Sequence, residues 1–99
     1  MLDIKMNQEG GKLPVALDGR LDTSTSPNLE EALKGAIAGV TELVLDFSGL
    51  EYISSAGLRV LLGAQKIMNR QGSMKLCGVN DVIREILDVT GFCDILTIE

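Results

Sequence analysis

The sequence predicts a single α/β domain, built on a mixed sheet of four to five strands with about three main helices. Five short apolar runs have the length and bounding residues of strands. Three other stretches carry apolar residues at helical spacing, and each starts with residues that commonly cap helices. The two patterns alternate along most of the 99 residues without a linker or repeat, so we expect one domain over residues 1–99.

The first two strands are predicted to form an antiparallel hairpin. Residues 2–6 alternate apolar and polar side chains, residues 13–17 form a second apolar run, and Gly10-Gly11 between them suits the turn. Pro14 cannot donate to a strand ladder, which indicates an exposed sheet edge or the start of a strand. We expect the chain to leave the sheet over residues 19–22.

A helix is predicted to begin with Ser26 as its N-cap and Pro27 at its first position, and its apolar positions run from 29 to 40. The residues before it, Asp22, Thr23 and Ser24, suit a solvated loop held by local hydrogen bonds. A functional alternative is that this loop lies beside the site described below.

Residues 42–47 form the predicted central strand, whose apolar run suits a strand covered on both faces. Asp46 at its end has two interpretations. It anchors the following loop by accepting hydrogen bonds from backbone N–H groups, or it is a phosphate acceptor like the strand-end aspartate of receiver domains. Receivers also carry a lysine after their last strand. This chain has none after Lys75, so we do not favour the second interpretation.

The second helix is predicted over residues 54–71, with Gly72 as a left-handed stop. Its apolar face, including Ile67, is expected to point inward. Its outward face is basic on an acidic protein and is more typical of a solvated helix than of a binding surface, although Gly63 would allow close approach. That face comprises Arg59, Gly63, Lys66 and Arg70. A strand at 74–79, a helix capped by Asn80 and a last strand at 95–98 complete the prediction.

Composition excludes several classes of function. The net charge of −5 disfavours nucleic acid and anionic membranes, and the aromatic fraction of 3% gives little support for base stacking. The absence of histidine removes Ser-His and Cys-His pairs and the commonest metal ligand. We therefore expect no enzyme, metal or cofactor. Cys77 and Cys93 are expected to be reduced, buried thiols of a cytoplasmic protein, since no signal peptide or spanning segment is apparent.

Two adjacent hydroxyls, Ser54 and Ser55, stand where the second helix begins. One of them is expected to cap the helix and the other to be free for modification. Phosphorylation would add about −1.5 to −2 charges, which the first turn of a helix accommodates, so its effect would fall on a docked partner. Taken alone, such a serine pair is more often only a cap.

The run DFSGLEYISSAGLRVLL, with GRLDTSTSP upstream, resembles the STAS domain of anti-sigma factor antagonists. The resemblance implies a protein that binds an anti-sigma factor serine kinase of the histidine-kinase-like ATPase type. Phosphorylation on Ser55 would then release it, and a serine phosphatase would reset it. Ser54 occupies the place where the family commonly has an aspartate, which makes Ser54 the second choice of acceptor.

We expect partner-binding residues around the acceptor, of which the resemblance matches Asp22 and Asp46, and a monomer when free, without nucleic acid or membrane partners. The expected partner-binding residues are Asp22, Thr23, Ser24, Asp46, Ser54, Ala56, Gly57 and Arg59.

Three alternatives remain. The chain could be a STAS subunit of a lipid-transport complex or of a transporter's regulatory module, without a phosphoswitch. It could be a carrier protein with a serine-linked group, although carriers are helical and the strand runs argue against that. Hydrolase activity is the weakest alternative, because no base stands ready for the serine.

Overall fold

A five-stranded mixed sheet forms the centre of the computed structural model, which describes residues 1–99. The strands lie in chain order, β1-β2-β3-β4-β5. β1 pairs with β2 antiparallel and every later pair is parallel, which confirms the predicted fold class. The elements are β1 (Leu2–Met6), β2 (Lys12–Leu21), α1 (Ser26–Ala36), β3 (Glu42–Ile53), α2 (Ser55–Gln71), β4 (Ser73–Cys77), α3 (Asp81–Val89), a 3-10 turn (Phe92–Asp94) and β5 (Thr97–Ile98).

The hydrophobic core lies on one face of this sheet. Successive side chains of a strand point to opposite faces, and in β3 Leu43, Leu45 and Phe47 are fully buried while Val44 and Asp46 are only half-buried. Since all parallel crossovers step in the same direction, right-handed connections place the three helices on the same face. The expectation that β3 is covered on both faces is therefore wrong, because Val44 lies on an open face.

The strands β2 and β3 are longer than the sequence predicts. β2 continues to Leu21 and β3 to Ile53, and these two residues pair directly. The register of the β2–β3 pair shifts between Ala16 and Asp18 and again after Gly19. These shifts are β-bulges, which let the strands continue through glycines and polar residues. The predicted departure from the sheet at 19–22 and the predicted end of the central strand at residue 47 are thus corrected. The two strands carry the chain directly to the loop before α1 and to the start of α2.

Pro14 lies near the start of β2, which is one of the two positions predicted for it. The other prediction, an exposed edge of the sheet, is wrong, because β2 lies between β1 and β3. Pro14 is the third residue of β2, and the ladder to β1 ends one residue later at the pair Met6–Val15. Opposite Pro14, the Asn7 N–H donates to the Pro14 carbonyl oxygen at 3.3 Å, and proline lacks the N–H that would return a bond to Asn7.

Three helix ends differ from the prediction. The N-cap of α1 is Thr25, not Ser26, and the helix ends at Ala36. Gly72 ends α2 with φ 175°, which is extended and not left-handed. Glycine is needed there because a Cβ atom would collide with the carbonyl oxygen of Thr41. Ile67 is also corrected: its side chain is 40% exposed and lies outside the core.

The C-terminal region departs from the prediction in detail only. β5 contains Thr97–Ile98 alone, since the chain before it forms the 3-10 turn. Cys77 and Cys93 are free but only half-buried, so their predicted full burial is wrong. Desolvation raises the pKa of Cys77, and a hydrogen bond to Asp88 raises the pKa of Cys93. No helix has the length and apolarity needed to span a bilayer.

Candidate functional site

The junction between β3 and α2 is held by Ser54. Its backbone N–H donates to the carbonyl oxygen of Leu21 at 2.8 Å, which ties the start of α2 to the end of β2. Its extended backbone makes it the N-cap, and its hydroxyl oxygen accepts from the N–H of Gly57 at 3.4 Å. The hydroxyl of Ser54 is therefore occupied in capping the helix.

Ser55 is the first residue of α2, and its side chain is exposed. Whereas the neighbouring Ser54 hydroxyl caps Gly57, the hydroxyl of Ser55 makes no hydrogen bond within the protein. The structure thus divides the two serines as the sequence predicts, with one hydroxyl capping the helix and the other free. A second molecule can reach the Ser55 oxygen from solvent.

Gly57 allows the first turn of α2 to pack directly against the end of β2. A Cβ atom at this position would lie 2.7 Å from Cγ of Leu21 and 3.0 Å from Cγ1 of Ile53. Gly57 is itself buried. It therefore sets the position of α2 from inside the protein, and its place among the partner-binding residues stays a prediction.

The loop carrying Asp22 lies beside this junction, because Leu21 contacts Ser54. The Asp22 Oδ1 atom accepts hydrogen bonds from the Ser24 hydroxyl at 2.7 Å, the Ser24 N–H at 3.0 Å and the Thr25 N–H at 3.1 Å. The Ser24 hydroxyl is the main reason that the pKa of Asp22 is below its ordinary value of 3.8. The carboxylate is ionised at neutral pH, and Thr23 and Ser24 are exposed around it.

Two buried hydroxyls hold this loop in roles that the sequence did not predict. The buried Thr25 hydroxyl donates to the carbonyl oxygen of Arg20 at 2.8 Å and accepts from the Asp22 N–H at 2.9 Å. The buried Ser26 hydroxyl donates to the Asp22 carbonyl oxygen instead of capping α1. An aspartate followed by Ser or Thr at the next few positions is a signature of such local turns and could have identified both residues.

Asp46 does not belong to this cluster. It is the fifth of the twelve residues of β3, half-buried on the open face, and its Oδ1 atom accepts from the Ser48 N–H at 2.9 Å. Seven residue steps separate Asp46 from Ile53, which is roughly 23 Å along a strand. The strand-end position expected for Asp46 is wrong, and its contacts favour the interpretation as a local anchor.

Arg59 lies one helical turn after Ser55 and is exposed. It lines a groove between α1 and α2 that the sequence did not indicate. The groove is lined mainly by apolar side chains, with charged residues among them: Glu30, Leu33, Lys34, Ile37, Arg59, Val60, Gly63, Ala64 and Ile67.

Ala56, between Ser55 and the buried Gly57, is half-buried. The chain contains no group of three or more His, Cys, Asp or Glu residues arranged to hold a metal ion.

Comparison with known proteins finds one family over nearly the whole chain. The STAS domain family matches residues 3–99. The anti-sigma F factor antagonist of Paenibacillus polymyxa is 35% identical over 100 residues, covering 98% of this chain and 86% of that protein. The crystal structure of an anti-sigma factor antagonist from Mycobacterium paratuberculosis has a TM-score of 0.89 at 22% identity, covering 99% of this chain and 85% of that one.

A further solved structure of this fold is the Bacillus cell fate determinant SpoIIAA in its phosphorylated form. Its TM-score is 0.76 at 18% identity, and the similarity covers 98% of this chain and 91% of that one.

Proposed function

Because the chain belongs to the STAS domain family, we propose that it is an anti-sigma factor antagonist controlled by phosphorylation of Ser55. Unmodified, it binds an anti-sigma factor that is also a serine kinase, and once phosphorylated it is released. The curated relative that is 35% identical carries the name of an anti-sigma factor antagonist. The observation that carries the switch is the exposed Ser55 side chain, whose hydroxyl has no partner within the protein.

The position of Ser55 suits a modification that leaves the fold intact. The kinase moves the γ-phosphoryl group of ATP to the Ser55 oxygen, which gives up its proton, and ADP leaves. The added charge of about −1.5 to −2 lies at the positive end of the α2 dipole, where anions are favourable. The capping bond from Gly57 to Ser54 does not involve Ser55. A protein of this fold solved in a phosphorylated form supports the same inference.

The phosphate therefore acts on the partner. A docked surface that covers Ser55 must desolvate a dianion when the serine is modified, and it is repelled if it is apolar or acidic. The exposed residues that share this surface are Thr23, Ser24 and Arg59, with Asp22, Ser54 and Ala56 half-buried among them.

The same proposal includes the enzymes that add and remove the phosphate. The kinase is of the histidine-kinase-like ATPase type, a separate serine phosphatase removes the phosphate, and both meet this protein in the cytoplasm. The protein itself catalyses nothing, needs no cofactor, contacts neither nucleic acid nor membrane, and is a monomer when free.

The acceptor is tested by incubating the protein with its cognate anti-sigma factor kinase and ATP and measuring intact mass. Wild type is expected to gain one phosphate, Ser55→Ala none, and the matched variant Ser54→Ala one. Tandem mass spectrometry then locates the phosphate. A phosphate that persists in Ser55→Ala and disappears in Ser54→Ala would move the acceptor to Ser54.

The alternative of a STAS subunit without a phosphoswitch leaves Ser55 with a purely structural role. The structure gives its hydroxyl no partner that such a role requires, since the capping bond at this helix start belongs to Ser54. The kinase experiment separates the two functions, because a structural serine would gain no phosphate in any variant.

A further inference from the structure

Arg59 is an unpaired cation one turn from the proposed acceptor. Residues four apart on a helix lie on the same face, and both Ser55 and Arg59 are exposed on α2. The three ion pairs of the protein use Lys34 and Lys75 and leave Arg59 without a carboxylate. Glu30, which lines the same groove, is already bound to Lys34 at 3.3 Å.

We propose that Arg59 binds the phosphate on Ser55 as an intrahelical i,i+4 ion pair. This inference rests on the proposed function and adds a residue that holds the modified state. A guanidinium group matches two phosphate oxygens with parallel hydrogen bonds. The order also suits the helix, because an anion N-terminal to its cation is the more favourable arrangement.

Arg20, at the end of β2, has its guanidinium group 4.6 Å from the centroid of the Tyr52 ring, whereas Arg59 has no such partner. Asp22, on the loop beside Ser54, is a nearby carboxylate, and it opposes a second negative charge. The other basic residues of the same helix face, Lys66 and Arg70, lie about 16 and 22 Å along the axis from Ser55. Those distances exceed the Debye length of about 8 Å at physiological salt, so their charges are screened.

The pair also gives the switch a physical mechanism. In the unmodified protein Arg59 lines the α1–α2 groove and is available to a carboxylate of a docked partner. Once Ser55 is phosphorylated, the phosphate competes for the same guanidinium group. A partner would then lose a cation contact in addition to facing the new charge.

The test installs phosphoserine at position 55 during translation, so that no kinase is needed, and follows the phosphate by ³¹P NMR during a pH titration. The second pKa of phosphoserine is about 6. In Arg59→Gln it is expected to rise by about 0.3 relative to the phosphorylated wild type, the effect of an exposed i,i+4 pair of ordinary strength. The matched variant Arg70→Gln removes the same charge from the same helix and should leave the pKa unchanged.

Equal pKa values for the phosphate in Arg59→Gln and Arg70→Gln would overturn the proposal. Arg59→Lys adds a further check, because it keeps the charge but loses the planar fork, and its phosphate pKa should fall between those of wild type and Arg59→Gln. Since the phosphate is installed independently, a failure here leaves the identity of the acceptor untouched. A failure of the kinase experiment, in turn, does not alter this result.

Discussion

At the scale of single residues, two identical side chains one position apart do different work because the helix begins between them. Ser54 has an extended backbone, with φ −99° and ψ 174°, and its hydroxyl faces the first turn of α2. Ser55 is already helical and points its side chain to solvent. The sequence predicts that one serine caps and the other is free. The structure assigns the roles, since Ser54 is the N-cap and α2 begins at Ser55.

The capping role predicts different stabilities for the two alanine variants. Ser54→Ala should lower the free energy of unfolding by about 0.5–1 kcal/mol, at the low end for an N-cap because its hydrogen bond is long. Ser55→Ala should change it by less than about 0.5 kcal/mol. Urea denaturation measures both. A loss in Ser55→Ala as large as that in Ser54→Ala would give Ser55 a structural role and contradict its free hydroxyl.

The Asp22 carboxylate predicts a pH dependence of stability. Its pKa is lowered in the folded protein, chiefly by the Ser24 hydroxyl, so the unfolded chain binds the proton more readily. The carboxylate therefore stabilises the fold above pH 3.8, and this contribution is lost as the pH falls through the lowered pKa. Asp22→Asn should be less stable than wild type at neutral pH, and the difference should shrink in acid.

Ser24→Ala supplies the control, since it removes the first cause of the lowered pKa. The Asp22 carboxyl should then titrate closer to its ordinary value, as carboxyl-carbon NMR can measure. An unchanged Asp22 titration in Ser24→Ala would show that the Ser24 hydroxyl does not hold the carboxylate.

At the scale of elements, the order of strands and helices could be predicted because its signals are local. Apolar runs, helical spacing and caps such as Asn80, whose side chain accepts from the Ile83 N–H at 2.9 Å, all lie within a few residues. The lengths of β2 and β3 could not be predicted. Glycines 19 and 49 are typical of turns, yet both stay in the ladder, because bulges pair them with residues about thirty positions away.

The close packing of α2 on β2 predicts opposite effects for two glycines of the same helix. Gly57→Ala should destabilise the protein by roughly 1–2 kcal/mol, because the new methyl group meets Leu21 and Ile53 at 2.7–3.0 Å. Gly63→Ala should stabilise it by up to ~1 kcal/mol, since nothing lies within 4 Å and alanine is the better helix former. Thermal or urea unfolding compares the two. A stabilising Gly57→Ala would contradict the packing described for this junction.

At the scale of the whole molecule, the candidate site exists because two parallel strands end together. The pair Leu21–Ile53 brings the loop at Asp22 against the start of α2, although the two lie about thirty residues apart in the chain. Ligands of α/β sheets gather at such carboxyl ends. The sequence offered this proximity only as an alternative, because strand register cannot be derived from a single sequence. The same register explains why Asp46 was misplaced, since β3 continues well beyond it.

The most direct test of the account compares the affinity of the cognate anti-sigma factor for the protein with and without phosphoserine at position 55. Isothermal titration calorimetry measures both forms, and circular dichroism checks that their folds match. We predict that phosphorylation weakens binding by roughly two orders of magnitude while the fold is unchanged. Equal affinities of the two forms, or unfolding of the phosphorylated protein, would contradict the account.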